Sequence, residues 1–581
     1  PYIRTAVMEK VSHELKLFLL LAVLITAFIL WVFFRTISSV VFSILVVAIG
    51  VVWSMGSIEL FNFKITILTA LIPPLIMVIG VPNCIFLINK YHSEYARHGN
   101  RIKALARMIS TVGISLFLAN ITTAIGFGVL VFTNSSFLTQ FGMVAAINVM
   151  VTYFITLVFI PIILSFLPPP SVRQMRHLEG KRMRKILEWV DFIVHHKRNQ
   201  IYVVIVSLTL LAVYGMTKID VTGYVVDDLP RKNPVYTDMH FFEKNFKGVL
   251  PFEIFVDTKK PNGVFDNNGR VLYKMKALQK QLENYPELSK ALSITEALKF
   301  SYQAYRGGDP KYYVLPGISE LKNLNDYTST VKGNENRLKS FIDSSRQYTR
   351  ISMQMADVGS KKIKTLLADI QPKVDSIFDS SQYHVKLTGH SLMFLKGNDY
   401  LLYNLYESLI IEILLITIVG MALFRSIGII LLSKLPCLIP LVITAGIMGF
   451  FDIRFKPSTI LIFSIAFGIS SDGTIYFLSK YRQELKQNKK SISEAISATI
   501  MDTGFSMIYT AVILFFGFSI FAASDFGGTA ALGLLISITL LVAMVTNLIL
   551  LPSLLLSIHK WVSRKEIISE PLIELDDNEE S

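Results

Sequence analysis

Residues 457–481 read PSTILIFSIAFGISSDGTIYFLSKY, an apolar run interrupted by a single acid, Asp472. The run is longer than the roughly 20 residues that cross a bilayer. An ionised carboxylate at that depth costs at least about 2.5–3.5 kcal/mol, so such residues usually face a bundle interior and serve proton or ion pathways. The stretch therefore predicts a membrane helix with a functional acid. A structural carboxylate satisfied by nearby hydroxyl groups is the alternative.

The remainder of the chain has the composition of a polytopic membrane protein. Of its 581 residues, 52% are apolar and 17% are charged, whereas soluble proteins have about 25% charged residues. Disorder is excluded, because disordered chains are poor in apolar residues. The apolar runs are predicted to be α-helical, because a continuous run in lipid must satisfy its own backbone hydrogen bonds. The eleven predicted spans are residues 15–34, 39–58, 66–89, 109–133, 138–166, 199–217, 403–424, 428–450, 457–479, 499–522 and 529–557.

Basic residues in the short connections predict the orientation of these spans. They occur at Arg35, at Arg425 and within residues 90–107, 173–198 and 480–490. Eleven alternating crossings place all of them on one side, which the positive-inside rule assigns to the cytoplasm. The net charge of +14 is then a topology signal, and no nucleic-acid partner is expected. The polar stretch 218–402 falls on the outer side.

The chain contains an internal repeat at an offset of 390 to 391 residues. Ile85–Tyr91 (IFLINKY) matches Ile475–Tyr481 (IYFLSKY), and Gly126 matches Gly517. The repeated unit is five clustered spans, but only the second copy is preceded by a lone span and an outer domain. We therefore expect this chain to be a fragment of a protein with two six-span halves, lacking roughly 200 upstream residues by this symmetry.

These patterns predict six segments. They are a first-half bundle at 1–167, a basic cytoplasmic linker at 168–198, a span at 199–217, an outer domain at 218–402, a second-half bundle at 403–557 and an acidic cytoplasmic tail at 558–581. In the outer domain, strands at 252–257, 289–293, 347–355 and 384–389 and helices at 270–285 and 361–378 give the order β-α-β-β-α-β, which predicts a ferredoxin-like α+β fold. Residues 298–346 are interpreted as an inserted loop or subdomain. Polar helices at 92–107 and 482–497 are expected along the cytoplasmic surface.

Four motifs give the chain a family resemblance. They are Gly468–Tyr481, Thr122–Phe127, Val226–Pro230 and Phe241–Phe246. In combination the chain resembles the MMPL and hydrophobe-exporter branch of the RND superfamily. The resemblance implies a pseudo-symmetric helix bundle with a periplasmic porter domain in a bacterial inner membrane. It also implies proton-driven export of hydrophobic or lipid-like molecules, with membrane lipids, protons and either a second copy of the chain or a periplasmic protein as partners.

Other functions are weighed against this resemblance. No P-loop occurs, and Gly389–Met393 lacks the last glycine of a nucleophile elbow, so we expect no enzyme, no cofactor and no metal site. In the family each half usually carries an acid at the position of Asp472, but the first half has Pro82 there, with Asn83 beside it. A lipid-sensing or scaffolding protein of the same fold without proton coupling is therefore the alternative function. An accessory motor for protein export is disfavoured by the same motifs.

The proton relay is predicted to consist of Asp472 and Asn83. By pseudo-symmetry, spans 66–89 and 457–479 should pack at the bundle centre, and an amide can serve both protonation states of a carboxyl group. Pro82, Pro73 and Pro74 are predicted to kink or open the first of these spans. A supporting polar path is predicted from Ser471, Gly473, Thr474, Ser506, Tyr509, Thr510, Asn120, Thr122 and Thr123. Alternatively, the hydroxyl groups only bond the carbonyl of the preceding turn.

Two further charged residues lie within predicted spans. Glu412 is a candidate gate for substrate entry from the outer leaflet, or a side chain that simply reaches the interface, which we favour. Lys434 is expected to extend its ammonium group to the cytoplasmic surface.

Overall fold

The structure, a computed structural model, describes residues 2–170, 181–224, 233–317, 320, 340–424, 427–487 and 491–558. The chain forms two compact units, one made of Pro1–Val221 with Leu401–Ser581 and the other of Thr222–Tyr400. Some predicted features lie outside the described residues. These are the Val226–Pro230 motif, residues 171–180 of the basic linker and residues 559–581 of the acidic tail.

The described ranges contain eleven helices that are long and apolar enough to cross a membrane, which confirms the predicted number. Five belong to the first repeat: α1 (Tyr2–Phe34), α2 (Ile37–Leu60), α3 (Ile72–His98), α4 (Arg101–Gly128) and α5 (Ser136–Phe166). An amphipathic helix, α6 (Lys181–His196), then precedes the sixth candidate span, α7 (Arg198–Met216). The linker prediction missed α6, whose buried side chains Leu187, Val190 and Val194 lie on one face at the spacing of a helix.

The second unit is built on a four-stranded antiparallel sheet. Its elements are α8 (Pro234–Phe246), β1 (Leu250–Asp257), α9 (Asp266–Leu282), β2 (Leu292–Ser293), α10 (Ile294–Tyr305), β3 (Tyr348–Met355), α11 (Ser360–Ile377) and β4 (His384–Thr388). The strand order is β2-β3-β1-β4. Alternate residues of β1, Phe252, Ile254 and Val256, are fully buried, because successive side chains of a strand point to opposite faces. Each of the four predicted strands and two predicted helices begins and ends within four residues of the observed element. Helices α8 and α10 were not predicted, and α10 occupies part of the supposed insert.

The second repeat supplies the last five candidate spans. They are α12 (His390–Phe424), α13 (Ile427–Phe450), α14 (Pro457–Gln487), α15 (Ile492–Ser519), and α16 (Gly527–Val545) continued by a π-helical turn (Thr546–Leu550) and α17 (Leu551–Ile558). Repeat-related caps begin the same helix in each half. The side chain of Asn100 accepts hydrogen bonds at the start of α4, and Ser491 forms a capping box with Glu494 at the start of α15.

Helices α3 and α14 are the most buried of the candidate spans. The most apolar stretches of the two are 89% and 83% buried within the protein. The aromatic rings of Phe86 and Tyr476 stack between them, with centroids 4.2 Å apart. Both helices are therefore central, as predicted. The prediction that they pack together is wrong for their main contacts, because α14 packs mainly on α4, and α3 packs mainly on α4, α2 and α5.

Two helix crossings related by the repeat flank this centre. Where α4 crosses α14, a methyl group at Gly126 would lie 2.9 Å from the carbonyl oxygen of Ser464 and 3.0 Å from Cα of Gly468. Where α15 crosses α3, the matching positions are Gly517 and Val78. Two glycines let backbones approach closely, so the first crossing is tight. At the second crossing, the isopropyl group of Val78 takes the place of the second glycine.

Several local predictions are corrected by the helix boundaries. Residues 92–107 are not a separate surface helix, because they belong to the end of α3 and the start of α4. In the same way, residues 482–487 belong to the end of α14 and residues 492–497 to the start of α15. Pro73 and Pro74 do not kink α3, because they occupy its first turn, where backbone N–H groups need no partner in the helix. Pro82 alone lies inside α3, which continues through it.

Candidate functional site

Asp472 lies at the crossing of α14 with α4 and is held by two adjacent hydroxyl groups. Thr122 Oγ1 is 2.8 Å from Oδ1 of Asp472, and Thr123 Oγ1 is 2.8 Å from Oδ2. Both threonines are fully buried, whereas the Asp472 side chain is only partly enclosed because it faces a cavity. The acid from one half of the bundle is therefore bound by hydroxyl groups from the other half.

The Thr122 hydroxyl can serve both protonation states of the acid. Its oxygen is 2.8 Å from Asp472 and also 2.8 Å from the carbonyl oxygen of Ala119. A hydroxyl has one hydrogen to donate and can also accept. It can therefore donate to ionised Asp472, or accept a hydrogen bond from protonated Asp472 and donate to Ala119. Proton binding by Asp472 would thus reverse a hydrogen bond that joins the two halves.

Asp472 opens onto a cavity of about 90 Å³ at the centre of the bundle. A water molecule needs about 10–15 Å³ of such space, so several fit. The lining is mostly apolar, and the side chains of Asn83, Asn120, Thr510, Tyr476 and Asn547 supply polar atoms. Pro82 also lines it, on the α3 side. The cavity can hold a hydrated proton path.

The predicted pairing of Asn83 with Asp472 is wrong in its contacts. Asn83 and Asn120 exchange two hydrogen bonds, with N–O distances of 3.1 and 3.0 Å. Asn120 also donates to the carbonyl of Leu116. Asn83 lines the same cavity as Asp472, but its hydrogen bonds remain within the first half. Sequence symmetry placed Asn83 at the right depth and could not determine its rotamer or its partner.

The cavity also contains a residue that the sequence interpretation missed. Asn547, in the π-helical turn, donates to the carbonyl of Ser470 and accepts from the hydroxyl of Thr474, at 3.0 and 2.7 Å. A methyl group at Gly473 would lie 2.9 Å from its Nδ2 atom, so this glycine makes room for the amide. Single π-turns are frequent at functional sites. The sequence did contain a signal for this residue, because Asn547 is an amide within an apolar run.

The remaining residues of the predicted polar path are divided between the cavity and its surroundings. Thr510 lines the cavity and bonds the carbonyl of Met507. Ser471 donates to its own helix, at Phe467. Ser506 accepts from Asn89 at 3.3 Å, and the ring of Tyr509 packs against that of Phe33 in a tilted arrangement, with centroids 4.1 Å apart. Ser471, Ser506 and Tyr509 are not among the residues that line the cavity.

Glu412 does not reach the interface, which is the interpretation that we favoured from the sequence, because its exposed fraction is 0%. Its alternative role as a substrate gate stays a prediction. A methyl group at Gly126 would lie 3.0 Å from its Oε1 atom. Lys434 does not extend to the surface either, since it is only 8% exposed, and it interacts electrostatically with Glu412. The position of a residue along an apolar span predicts its depth in the membrane more reliably than the pattern of the span predicts the face on which the residue lies.

Charged residues are paired at the ends of α14 and α3 that follow the cavity. Lys480 lies 2.8 Å from Asp502 and 3.1 Å from Glu484. The repeat-related pair, Lys90 and Glu94, is 2.9 Å apart. These groups form an ionic region one to two turns beyond the cavity. Within the described part of the chain, no group of three or more His, Cys, Asp or Glu side chains could hold a metal ion.

The eleven candidate spans indicate a multi-pass membrane protein. The model of the MMPL family matches residues 3–198 and 318–570, and the chain belongs to this family. It is thereby a membrane protein of the RND/MMPL transporter kind. The chain is also similar to a protein of Methanocaldococcus jannaschii named "Putative membrane protein MJ1562". The two are 22% identical over 379 residues, which cover 64% of this chain and 94% of the archaeal protein.

Proposed function

We propose that the protein is a secondary transporter driven by the proton-motive force, which exports hydrophobic or lipid-like molecules, and that Asp472 is its proton-binding residue. The observation that carries the proposal is the Asp472 carboxyl group, bound by Thr122 and Thr123 across the two halves and facing a central cavity. Intramembrane acids in such positions mark proton relays.

Proton binding is coupled to helix movement through the hydrogen bonds of Asp472. Ionised Asp472 accepts from both threonines and holds α14 against α4. Protonation removes one acceptor and turns the Thr122 hydroxyl toward Ala119, so the contact between the halves weakens. The glycine crossing at Gly126 and Gly468 lies one turn away, where the backbones touch directly. A change of bonding at Asp472 therefore acts on the closest point between the two halves.

One acid supplies enough energy for this cycle. A proton that crosses about 150 mV releases roughly 3.5 kcal/mol, at 2.3 kcal/mol per 100 mV. Since 1.4 kcal/mol is a factor of ten, this energy biases two conformations by about 300-fold. Pro82 in the first half is therefore compatible with coupling. Protons leave the cavity toward the ionic region at Lys480 and Asp502.

The proposal also assigns locations and roles to the units. The protein lies in a bacterial inner membrane, with residues 1–167, 199–217 and 403–557 forming the membrane bundle. Residues 168–198 and 558–581 are cytoplasmic, and residues 218–402 form a periplasmic porter domain. The antiparallel order β2-β3-β1-β4 supports a ferredoxin-like fold for this domain. Membrane lipids are the surroundings and the source of substrate, and a second copy or a periplasmic protein completes the export path.

The experiment uses the full chain in proteoliposomes that contain a fluorescently labelled phospholipid. An imposed pH gradient should drive movement of the label with the unmodified protein. Asp472→Asn, which keeps the side-chain volume, should abolish that movement. Asp452→Asn is the matched control, because this acid lies in an exposed turn after α13 and its substitution should change nothing.

The opposite result has a defined meaning. If Asp472→Asn moves the label at the unmodified rate and an uncoupler has no effect on the unmodified protein, Asp472 is structural. The lipid-sensing or scaffolding function without proton coupling would then replace transport.

A further inference from the structure

Glu412 on α12 is a second acid in the bundle that the mechanism above does not use. Its exposed fraction is 0%, and neither carboxyl oxygen has a hydrogen-bond partner among the described residues. The polar groups that face it are the Ser464 hydroxyl of α14 and the Lys434 ammonium group of α13, which interacts with it electrostatically. From α4 it meets Gly126, which has no side chain.

The carboxyl group of Glu412 lies on the same helix seam as Asp472. It contacts α4 at Gly126, one turn from the threonines that bind Asp472. On α14 the neighbouring residue is Ser464, eight residues before Asp472. At 1.5 Å per residue, Gly126 lies about 6 Å from Thr122 along the axis of α4, and Ser464 lies about 12 Å from Asp472 along the axis of α14. Gly126 and Gly468 place no side chain in the seam, and their backbones close it in this conformation.

The surroundings of Glu412 determine its protonation in this conformation. A buried carboxylate without hydrogen bonds carries a desolvation penalty of several kcal/mol, which a buried group avoids by holding its proton. The same group could ionise when the helices separate and water enters. This combination is expected of a group that binds and releases a proton during a conformational cycle.

We propose that Glu412 is a second proton-carrying residue, which passes its proton to Asp472 through water that enters the α4–α14 seam when the helices separate. This inference rests on the proposed function. In the transfer, the O–H bond of Glu412 breaks as its proton passes to a neighbouring water molecule, and a water molecule beside Asp472 gives up a proton that forms the new O–H bond there. Glu412 becomes the carboxylate, Asp472 becomes the acid, and the net charge of the pair is unchanged. Lys434 stabilises the carboxylate left on Glu412. The acid that repeat symmetry would place at Pro82 is then supplied from α12.

The test is infrared difference spectroscopy of the full chain in lipid nanodiscs, titrated from a pH of about 4 to about 10 to span the range of carboxyl groups. The unmodified protein should show two carboxylic C=O bands that disappear on ionisation of buried groups. Glu412→Gln should remove one band and Asp472→Asn the other. Asp472→Asn should also shift the midpoint of the Glu412 band by about one pH unit or more, since interacting acids titrate as a pair. Glu407→Gln, on the same helix but partly exposed, should leave both bands.

The outcomes separate the two proposals. If Glu412→Gln leaves both bands unchanged, or Asp472→Asn leaves the Glu412 midpoint in place, the proton transfer is overturned and Asp472 keeps its role. If the unmodified protein lacks a band assignable to Asp472, the proposed function fails, and the transfer with it. Should Glu412→Gln not fold, Glu412→Asp keeps a carboxyl group and should show a band at a shifted frequency. An unshifted band in that variant would also overturn the assignment.

Discussion

Val78 meets Gly517 at the crossing that corresponds, by the internal repeat, to the meeting of Gly468 with Gly126. A methyl group at Gly517 would lie 2.4 Å from Cγ1 of Val78, so the valine fills the space that a second glycine leaves open in the other crossing. The backbones at the glycine crossing can therefore approach more closely. The two halves of the bundle are related in sequence but not equivalent in packing, and Asp472 is on the tightly packed side.

Substitution of Gly126 by Ala should destabilise the bundle. The added methyl group would meet backbone atoms of Ser464 and Gly468, which cannot rotate away. Overpacking of this kind costs about 1–3 kcal/mol. Thermal unfolding of the purified protein should show a lower midpoint for Gly126→Ala. Gly128→Ala is the control, because its methyl group would lie 3.6 Å from Cβ of Ala146, an ordinary contact. Equal midpoints for the two variants would contradict the close crossing.

Removal of the two hydroxyl groups at Asp472 should impair transport. Hydrogen bonds to a charged group contribute about 1.5–3 kcal/mol each. The double change Thr122→Val and Thr123→Val keeps the shape of both side chains, and we expect the gradient-driven movement of labelled lipid to fall at least about ten-fold. Thr503→Val serves as the comparison, because Thr503 bonds only the carbonyl of Thr499 in its own helix. A double variant as active as Thr503→Val would leave Asp472 without its proposed partners.

The second unit should lose stability in acid through one ion pair. Lys362 lies 2.7 Å from Glu287, and its hydrogen bond holds the pKa of that carboxyl group below the usual value. A lowered folded-state pKa stabilises the protein above the unfolded-state pKa of about 4.3 and loses its effect as the pH falls through the folded-state value. Lys362 is 58% exposed, so the contribution is at most about 1 kcal/mol.

Hydrogen exchange of β3 in the full chain measures this effect. Lys362→Met should lower protection at neutral pH and have no effect at a pH below both pKa values. Lys276→Met, on the exposed face of α9, should change protection at neither pH. If Lys362→Met also lowers the hydrogen-exchange protection of β3 in acid, the loss of stability results from packing and not from charge.

The proposed topology predicts which cysteines react with a membrane-impermeant maleimide. A cysteine at Ala304, exposed on α10, should react in intact cells, and one at Glu188, exposed on α6, should react only after the membrane is opened. Cys84 and Cys437 are fully buried and should give no background. The reverse labelling pattern would invert the orientation and remove the periplasmic assignment of residues 218–402.

The sequence predicted the structure best where a single physical constraint determines where residues lie. Long apolar runs gave eleven spans because bilayer thickness sets their length, and repeat symmetry gave the central position of α3 and α14. Asp472 was identified from the energetic cost of its charge. The hydroxyl groups that hold it were predicted only as members of a larger set, because Thr123 and Asp472 are 349 residues apart in the chain. Such contacts depend on helix rotation, which also reversed the expected exposure of Glu412 and directed Asn83 to Asn120.

The amide pair of Asn83 and Asn120 gives the first half a different character from the second. Neither side chain can gain or lose a proton, and each satisfies the other. Among the described residues that line the cavity, the ionisable groups, Asp472 and Tyr476, both come from the second half. In the proposed cycle the first half resembles a stator, whose inner face keeps the same charge throughout. The second half would be the rotor, to which the electrical work of each proton is delivered.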